Sequence, residues 1–134
     1  MKPTWIALND GGLLRADSIA LIRSGEEDVP IILTTKNHEL RASAWRLDDL
    51  LNQMETCGIP LLKCRRRKSR FHDLSDRWFD VWINLMCVLH ALPNKKFGYT
   101  EVFLDGTLDR PLDLEEPTAV ELMASLRYLS ERPS

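Results

Sequence analysis

The sequence predicts an α+β fold, in which a small, mainly antiparallel sheet packs against two or three helices. Three observations indicate this class. Residues 4–41 consist of short β-rich segments separated by turn residues. The segments 44–57 and 117–131 carry apolar residues at helical spacing. The length of 134 residues and the hydrophobic content of 44% are typical of one globular domain with one core. We therefore expect a single domain over residues 1–134.

The first third of the chain predicts an antiparallel meander. The predicted strands are Thr4–Leu8, Leu13–Arg15, Ser18–Arg23, Val29–Thr35 and Glu39–Arg41. Gly11 and Gly12 lie between the first two strands, where a tight return needs the positive φ angles that glycine tolerates.

A helix is predicted over 44–57. Its apolar stripe consists of Leu47, Leu50, Leu51 and Met54. Ser43 is a suitable N-cap, and Gly58 followed by Pro60 ends the run. Residues 59–62 are apolar and predict a strand that rejoins the sheet and leads into a run of basic residues.

The segment 75–91 is predicted to be a helix. Its apolar residues at three-and-four spacing are Leu74, Trp78, Val81, Trp82, Leu85 and Leu89. Asp73 or Ser75 could cap this helix, and Pro93 would end it. The β-branched and aromatic content also suits a strand, so this alternative stays open.

The last third predicts a hairpin followed by a helix. Tyr99–Leu104 and Thr107–Leu112 flank an Asp-Gly turn. The 117–131 helix begins with Pro117, and its apolar stripe is Ala119, Leu122, Met123 and Leu126. The order strand, turn, strand, helix thus occurs twice in the chain, and convergence explains this at least as well as duplication, because the unit is common and the identity between the halves is slight.

Composition excludes several classes of protein. No apolar run approaches the roughly 20 residues of a membrane span, and no signal-peptide core follows Met1. The three cysteines form no C-x-x-C pair, which disfavours a disulfide framework or a zinc ribbon and favours a reducing cytoplasm. His72, Asp73, Asp76 and Asp80 could converge on a metal or form an acid-base pair, but they lack the spacing of a metal motif, and Asp73 and Asp76 are interpreted as charges that favour the positive end of the predicted 75–91 helix. We expect no metal, no cofactor and no enzymatic activity.

One run of basic residues carries the strongest functional signal. Its members, the basic segment, are Lys63, Arg65, Arg66, Arg67, Lys68 and Arg70. Each could neutralise a phosphate, and the adjacent Phe71 could stack on a base. Alternatively the segment is a solvated loop, or it pairs with acidic residues of the same chain. The predicted function is a regulatory binding module for an anionic partner, with nucleic acid slightly favoured over an acidic protein.

The alternative function is a protein interaction or inhibitor protein, for which a homo-oligomer is one option. It rests on Trp45, which lies off the centre of the apolar stripe of the 44–57 helix and could be an exposed interface anchor. Trp78 and Trp82, four residues apart, are interpreted as core residues.

Part of the chain resembles a known family. The order of Asp17–Ile22, Ile31–Thr35, the helix and then Leu61-Leu62-Lys63 resembles the LytTR type of bacterial DNA-binding domain. The first half is also similar to small flagellar-regulator modules. Where the LytTR type has a His-Arg-Ser stretch, this chain has Cys64-Arg65-Arg66-Arg67, so no DNA-contacting residue is transferred.

Overall fold

The computed structural model describes residues 4–8, 11–67, 78–94, 99–105 and 111–131. The strands within these ranges are β1 (Trp5–Ala7), β2 (Leu13–Arg15), β3 (Ile19–Ser24), β4 (Pro30–Thr34), β5 (Glu39–Arg41), β6 (Leu61–Arg67), β7 (Trp78–Asn84), β8 (Val88–Asn94), β9 (Tyr99–Leu104) and β10 (Leu112–Glu115). The helices are α1 (Leu47–Thr56) and α2 (Glu116–Glu131). Among the described residues, 3₁₀ turns cover Ala16–Ser18, Glu26–Asp28 and Leu85–Cys87.

Eight strands form one antiparallel sheet in the order β5-β4-β3-β7-β6-β10-β9-β8. The strands β1 and β2 pair with each other in a separate two-stranded sheet. The predicted mixture of helices with an antiparallel sheet is therefore present, but the sheet is larger than the small sheet that the sequence predicted.

Two clusters of buried side chains form the core, and each contains one helix. The apolar stripe of α1 packs with the buried side chains of β3 and β4, including Ile22 and Ile32. The stripe of α2 packs with β9 and β10, including Val102 and Leu114. Leu50 of α1 and Leu122 of α2 are fully buried, so the apolar spacing of both predicted helices identifies the side that faces the core.

The predicted helix starts need small corrections. The helix α1 begins at Leu47, with Arg46 in the N-cap position and no side-chain capping bond, so the assignment of Ser43 as N-cap is wrong. Residues 42–45 form a turn instead, in which the backbone N–H of Trp45 donates to the carbonyl of Ala42 at 3.0 Å. The helix α2 begins at Glu116, one residue before the predicted start.

The predicted helix over 75–91 is wrong. Residues 78–84 form β7, residues 85–87 form a 3₁₀ turn, and β8 follows. The residues proposed as caps, Asp73 and Ser75, lie outside the described residues. Val81 and Ile83 are buried in one core cluster while Trp82 between them packs against the other, which is the two-sided burial of a central strand.

The order of elements repeats along the chain. Two strands, a 3₁₀ turn, three strands and a helix occur in residues 5–56, the first repeat, and again in residues 61–131, the second repeat. The additional turn Glu26–Asp28 lies in the β3–β4 connection. This unit is longer than the strand, turn, strand, helix unit that the sequence indicated.

Backbone details agree between the two repeats. A register shift falls between Ile19 and Leu21 at the start of β3, and another falls between Val88 and His90 at the start of β8. The N–H of Thr35 donates to the carbonyl of Ser18 at 2.8 Å, just after β4. The equivalent bond follows β9, where the N–H of Asp105 donates to the carbonyl of Cys87 at 2.8 Å. The strand β3 therefore corresponds to β8, and β2 corresponds to β7.

The two repeats are joined along the seam between β3 and β7. Leu21 lies opposite Ile83, and Ile22 lies opposite Trp82. The side chain of Asn84 crosses this seam, because its Nδ2 donates to the carbonyl of Ile19 at 2.8 Å. The seam fixes β7, and with it the hairpin whose other strand carries the basic segment.

Candidate anionic-partner interface

The basic segment begins on β6, in the long hairpin that β6 forms with β7. The pairing runs from Leu61 opposite Asn84 to Arg67 opposite Trp78. The matching hairpin of the first repeat runs only from Trp5 to Arg15 and is less than half as long. Arg67 is the last described residue of β6, and the predicted contact residues Lys68, Arg70 and Phe71 lie outside the described residues. The structure therefore places Lys63, Arg65 and Arg66.

Alternation along β6 separates these residues. Cys64 is fully buried in the core cluster that contains α2. Because successive side chains of a strand point to opposite faces, Arg66 shares the face of Cys64. Lys63 and Arg65 lie together on the other face, and both are exposed. The described part of the basic segment is thus divided between two surfaces.

Lys63 has two partners on the neighbouring strand. Its Nζ lies 3.6 Å from Oδ2 of Asp80. The same atom lies 5.7 Å from the centroid of the Trp82 ring, within the range of a cation–π contact. Both charged side chains of the ion pair are about half exposed or more, so the ammonium group stays accessible to solvent.

Arg65 is held beside the start of α2. Its Nη1 lies 3.4 Å from Oε2 of Glu115. Its backbone N–H donates to Oγ1 of Thr118 at 3.4 Å, and that hydroxyl donates in turn to the carbonyl of Glu115 at 2.9 Å. The backbone of β6 is fixed to α2 at this point, while half of the Arg65 side chain remains exposed.

Arg66 belongs to a different electrostatic environment. Burial, and after it the positive charge of Arg23, lowers the pKa of the Arg66 guanidinium, while Asp113 and Glu39 oppose that shift. Arg23 itself forms an ion pair with Glu39 at 3.0 Å. Arg66 therefore lies within a charged group of this chain and is less available to an external ligand than Lys63 and Arg65 are.

The candidate interaction residue Trp45 is partly buried and contacts its own chain. Its Nε1 donates to the carbonyl of Ala7 at 2.6 Å. Its ring packs against the core cluster that contains α1. The side chain thus joins the first hairpin to the turn before α1.

The thiols of the two buried cysteines are poor nucleophiles. Burial, with Glu121 next in size, raises the pKa of Cys64 to about 12. Burial, followed by Asp105 and Asp17, raises the pKa of Cys87 to about 11. A thiol must lose its proton to attack an electrophile, so both side chains are protonated and unreactive at neutral pH.

Other candidate chemistries find no support among the residues with assigned positions. In the described ranges, no three His, Cys, Asp or Glu side chains are grouped so that they could hold a metal ion. Neither α1 nor α2, the helices of the described chain, is long and apolar enough to cross a membrane.

Sequence reasoning missed the partners of the basic residues. Asp80 and Glu115 contact Lys63 and Arg65 but lie on β7 and β10, far away in sequence. The alternation of apolar and polar residues over 62–65 was the one local signal of a strand that continues into the basic segment. Comparison with protein-family models, curated proteins and solved structures finds no match to this chain.

Proposed function

We propose that this protein is a non-enzymatic binding module that uses the β6–β7 hairpin to bind an anionic partner, and that this partner is a nucleic acid. The observation that carries the proposal is the difference between the two hairpins. The second is more than twice as long as the first, and the additional length holds most of the basic segment. Residues 61–84 contain seven basic and three acidic residues, although the whole chain has a net charge of −2.

Exposure of Lys63 and Arg65 supports the proposal. Their ion pairs, at 3.6 and 3.4 Å, are between partly exposed side chains. Exposed pairs of this kind stabilise a fold by only about 0 to 1 kcal/mol. A phosphate can therefore replace the carboxylate partner at little cost in folding stability.

A nucleic acid explains the composition of the segment better than a single small anion. Six basic residues within eight positions provide several positive charges along one short stretch, which suits a polymer with regularly spaced phosphates. Phe71 follows directly in sequence, and an aromatic ring beside phosphate contacts is typical of single-stranded nucleic-acid sites.

The test is an anisotropy titration of labelled single-stranded and duplex DNA and RNA at several salt concentrations. With about four phosphate contacts, log K should fall with log salt at a slope of roughly −3 to −4. The double variant K63A/R65A should bind more weakly, and its slope should be flatter by roughly two. The matched control K36A/R41A removes the same charge from exposed positions of the first repeat and should leave the slope unchanged.

Three results would contradict the proposal. The first is the absence of binding at tens of micromolar protein in low salt. The second is binding of polyglutamate, lost in K63A/R65A, without binding of any nucleic acid, since that would assign the hairpin to an acidic protein. Equal losses in both double variants would show a general effect of net charge and no site at the hairpin.

A further inference from the structure

Among the strands that the structure describes, β8 and β2 each have an unpaired edge and exposed apolar side chains. Within the described residues, β8 pairs only with β9, and β2 pairs only with β1. Large apolar side chains are exposed on these strands and on the turn before β8: Met86 is 72% exposed, Leu89 51%, Leu92 54% and Leu13 61%. No Asp, Glu, Lys or Arg occurs between Val88 and Asn94, so β8 lacks the charged residues that usually protect an edge strand.

The corresponding edges inside the chain are paired with each other. The strand β3, which corresponds to β8, pairs on one side with β4 and on the other with β7. Its residues from Ile19 to Ile22 are all buried. The strand β7, which corresponds to β2, is buried at Val81 and Ile83. The β3–β7 seam therefore shows how the same two kinds of edge fit together when they meet.

We infer that β8 of one copy of this protein pairs with β2 of a second copy, in the same antiparallel register as β3 with β7. The internal pairs are Leu21 with Ile83, Ile22 with Trp82 and Arg23 with Val81. Transfer of this register through the two repeats places His90 opposite Leu14, Ala91 opposite Leu13 and Leu92 opposite Gly12, with the second residue of each pair on the second copy.

The side chains at these positions suit the pairing. Leu89 would enter the place that the fully buried Ala20 has in β3, and the exposed Leu13 would take the place of Trp82. Arg15 would occupy the position of Asn84, whose Nδ2 donates to the carbonyl of Ile19. The guanidinium of Arg15 is half exposed and has five N–H donors, so it can donate to the carbonyl of Val88 and still hold Asp17.

The chain carries both halves of the contact, but within the described residues its own β8 and β2 do not pair with each other, so we assign the missing edge to a second copy. Each copy presents one β8 edge and one β2 edge, so an arrangement of two copies about a two-fold axis would form two identical seams and leave neither edge exposed, whereas a rotation that does not close would give an open series of copies. Pro93 does not obstruct the contact, because it lies beyond Leu92, the last residue of the transferred register. This inference does not depend on the proposed nucleic-acid function.

The first experiment measures the mass of the full chain in solution by sedimentation or light scattering at 10–100 μM, about the range in which weak edge pairing is detectable. A dimer is expected. The variant L89E should raise the dimer dissociation constant at least tenfold, because it buries a charge at the seam. The matched control V120E replaces an exposed apolar residue on α2 and should leave the dimer intact. Circular dichroism checks that both variants are folded.

The second experiment tests the register and does not depend on weakening the contact. Under mild oxidation the variant L13C/A91C should form covalent dimers, since directly opposed residues have Cα atoms about 4.5 to 5.5 Å apart. The variant L13C/L92C, one residue out of register, should form far fewer, and the parent chain controls for its three native cysteines.

Several outcomes would overturn the inference. A monomer throughout the concentration range would do so. So would a dimer that remains intact in the variant L89E, or one that dissociates in the variant V120E. Equal cross-linking of the two cysteine pairs would exclude the transferred register, and an open series of larger oligomers would exclude the closed dimer.

Discussion

Replacement of Asn84 by alanine tests the seam between the two repeats most directly. The side chain is buried and makes two hydrogen bonds: its Nδ2 donates to the carbonyl of Ile19 at 2.8 Å, and its Oδ1 accepts from the N–H of Met86 at 3.0 Å. Removal of the first bond leaves the buried carbonyl of Ile19 without the amide donor of Asn84, which costs about 1 to 3 kcal/mol. Met86 is exposed, so water can reach that region, and loss of the second bond costs about 0.5 to 1.5 kcal/mol.

The expected loss in the free energy of unfolding is therefore about 1.5 to 4.5 kcal/mol. Urea denaturation followed by tryptophan fluorescence measures it, because Trp82 lies on the seam opposite Ile22. The matched control Asn52→Ala changes an exposed asparagine on α1 and should alter stability by less than about 0.5 kcal/mol.

One outcome of comparing Asn84→Ala with Asn52→Ala would contradict this prediction. If Asn84→Ala lowers the free energy of unfolding no more than Asn52→Ala does, at an unchanged m-value, the seam bond does not stabilise the fold. The proposed bond from Arg15 to the carbonyl of Val88 in the dimer, which is based on that of Asn84, would then lose its support.

Three further predictions concern the core. In the native protein at pH 8, one thiol, that of the partly buried Cys57, should react quickly with a thiol reagent such as DTNB, and all three should react after denaturation; fast reaction of Cys64 or Cys87 would contradict their burial. Because the folded pKa values of Cys64 and Cys87, about 12 and 11, lie above the ordinary value of 9.0, their contribution to stability is complete below pH 9 and is lost as pH rises through 11 to 12. Urea denaturation at pH 8 and pH 10.5 measures the free energy of unfolding at each pH. Its decline between the two should be smaller in the variant with Cys64 and Cys87 replaced by alanine than in the parent protein. Leu50→Ala and Leu122→Ala, at matching positions of α1 and α2, should each cost about 2 to 5 kcal/mol in the same assay.

The sequence predicted both helices and most strands but mistook β7 and β8 for a helix. The physical reason lies in the position of β7 between β3 and β6. A strand with neighbours on both sides and packed faces above and below has an almost continuous apolar run, so the period of two disappears. The 3₁₀ turn at 85–87 then changes the phase of the apolar residues. Trp78, Trp82 and Leu85 consequently fall at helical spacing without forming a helix.

The candidate site was predictable only in part. Clustering of basic residues is a local property, and the sequence shows it directly. Their separation onto two faces depends on the extension of β6 to Arg67, which the low strand preference of lysine and arginine conceals. The carboxylate of Asp80 reaches Lys63 across the β6–β7 hairpin, and that of Glu115 reaches Arg65 through the pairing of β6 with β10, a strand far away in sequence. Local patterns do not specify such pairing.

The proposed nucleic-acid site is the β6–β7 hairpin, and the proposed dimer contact joins β8 to β2. One variant can test the two independently. In the first repeat, a bond of 2.7 Å from the N–H of Leu8 to the carbonyl of Gly12 closes the short hairpin. Replacement of residues 65–80 by residues 9–11 would give the second hairpin this short turn. All three pairs of the β3–β7 seam involve residues 81–83 and are retained, while the pair between Arg66 and Leu114 is lost.

We expect this shortened variant to fold with reduced stability, to remain a dimer and to lose nucleic-acid binding. The dimer should persist because neither β8 nor β2 is altered, and binding should disappear because most of the basic segment is removed. Titration and sedimentation of the same preparation measure the two properties side by side. Retained binding would place the nucleic-acid site outside the hairpin. Dissociation of a folded variant would show that the hairpin itself holds the two copies together, against the pairing of β8 with β2.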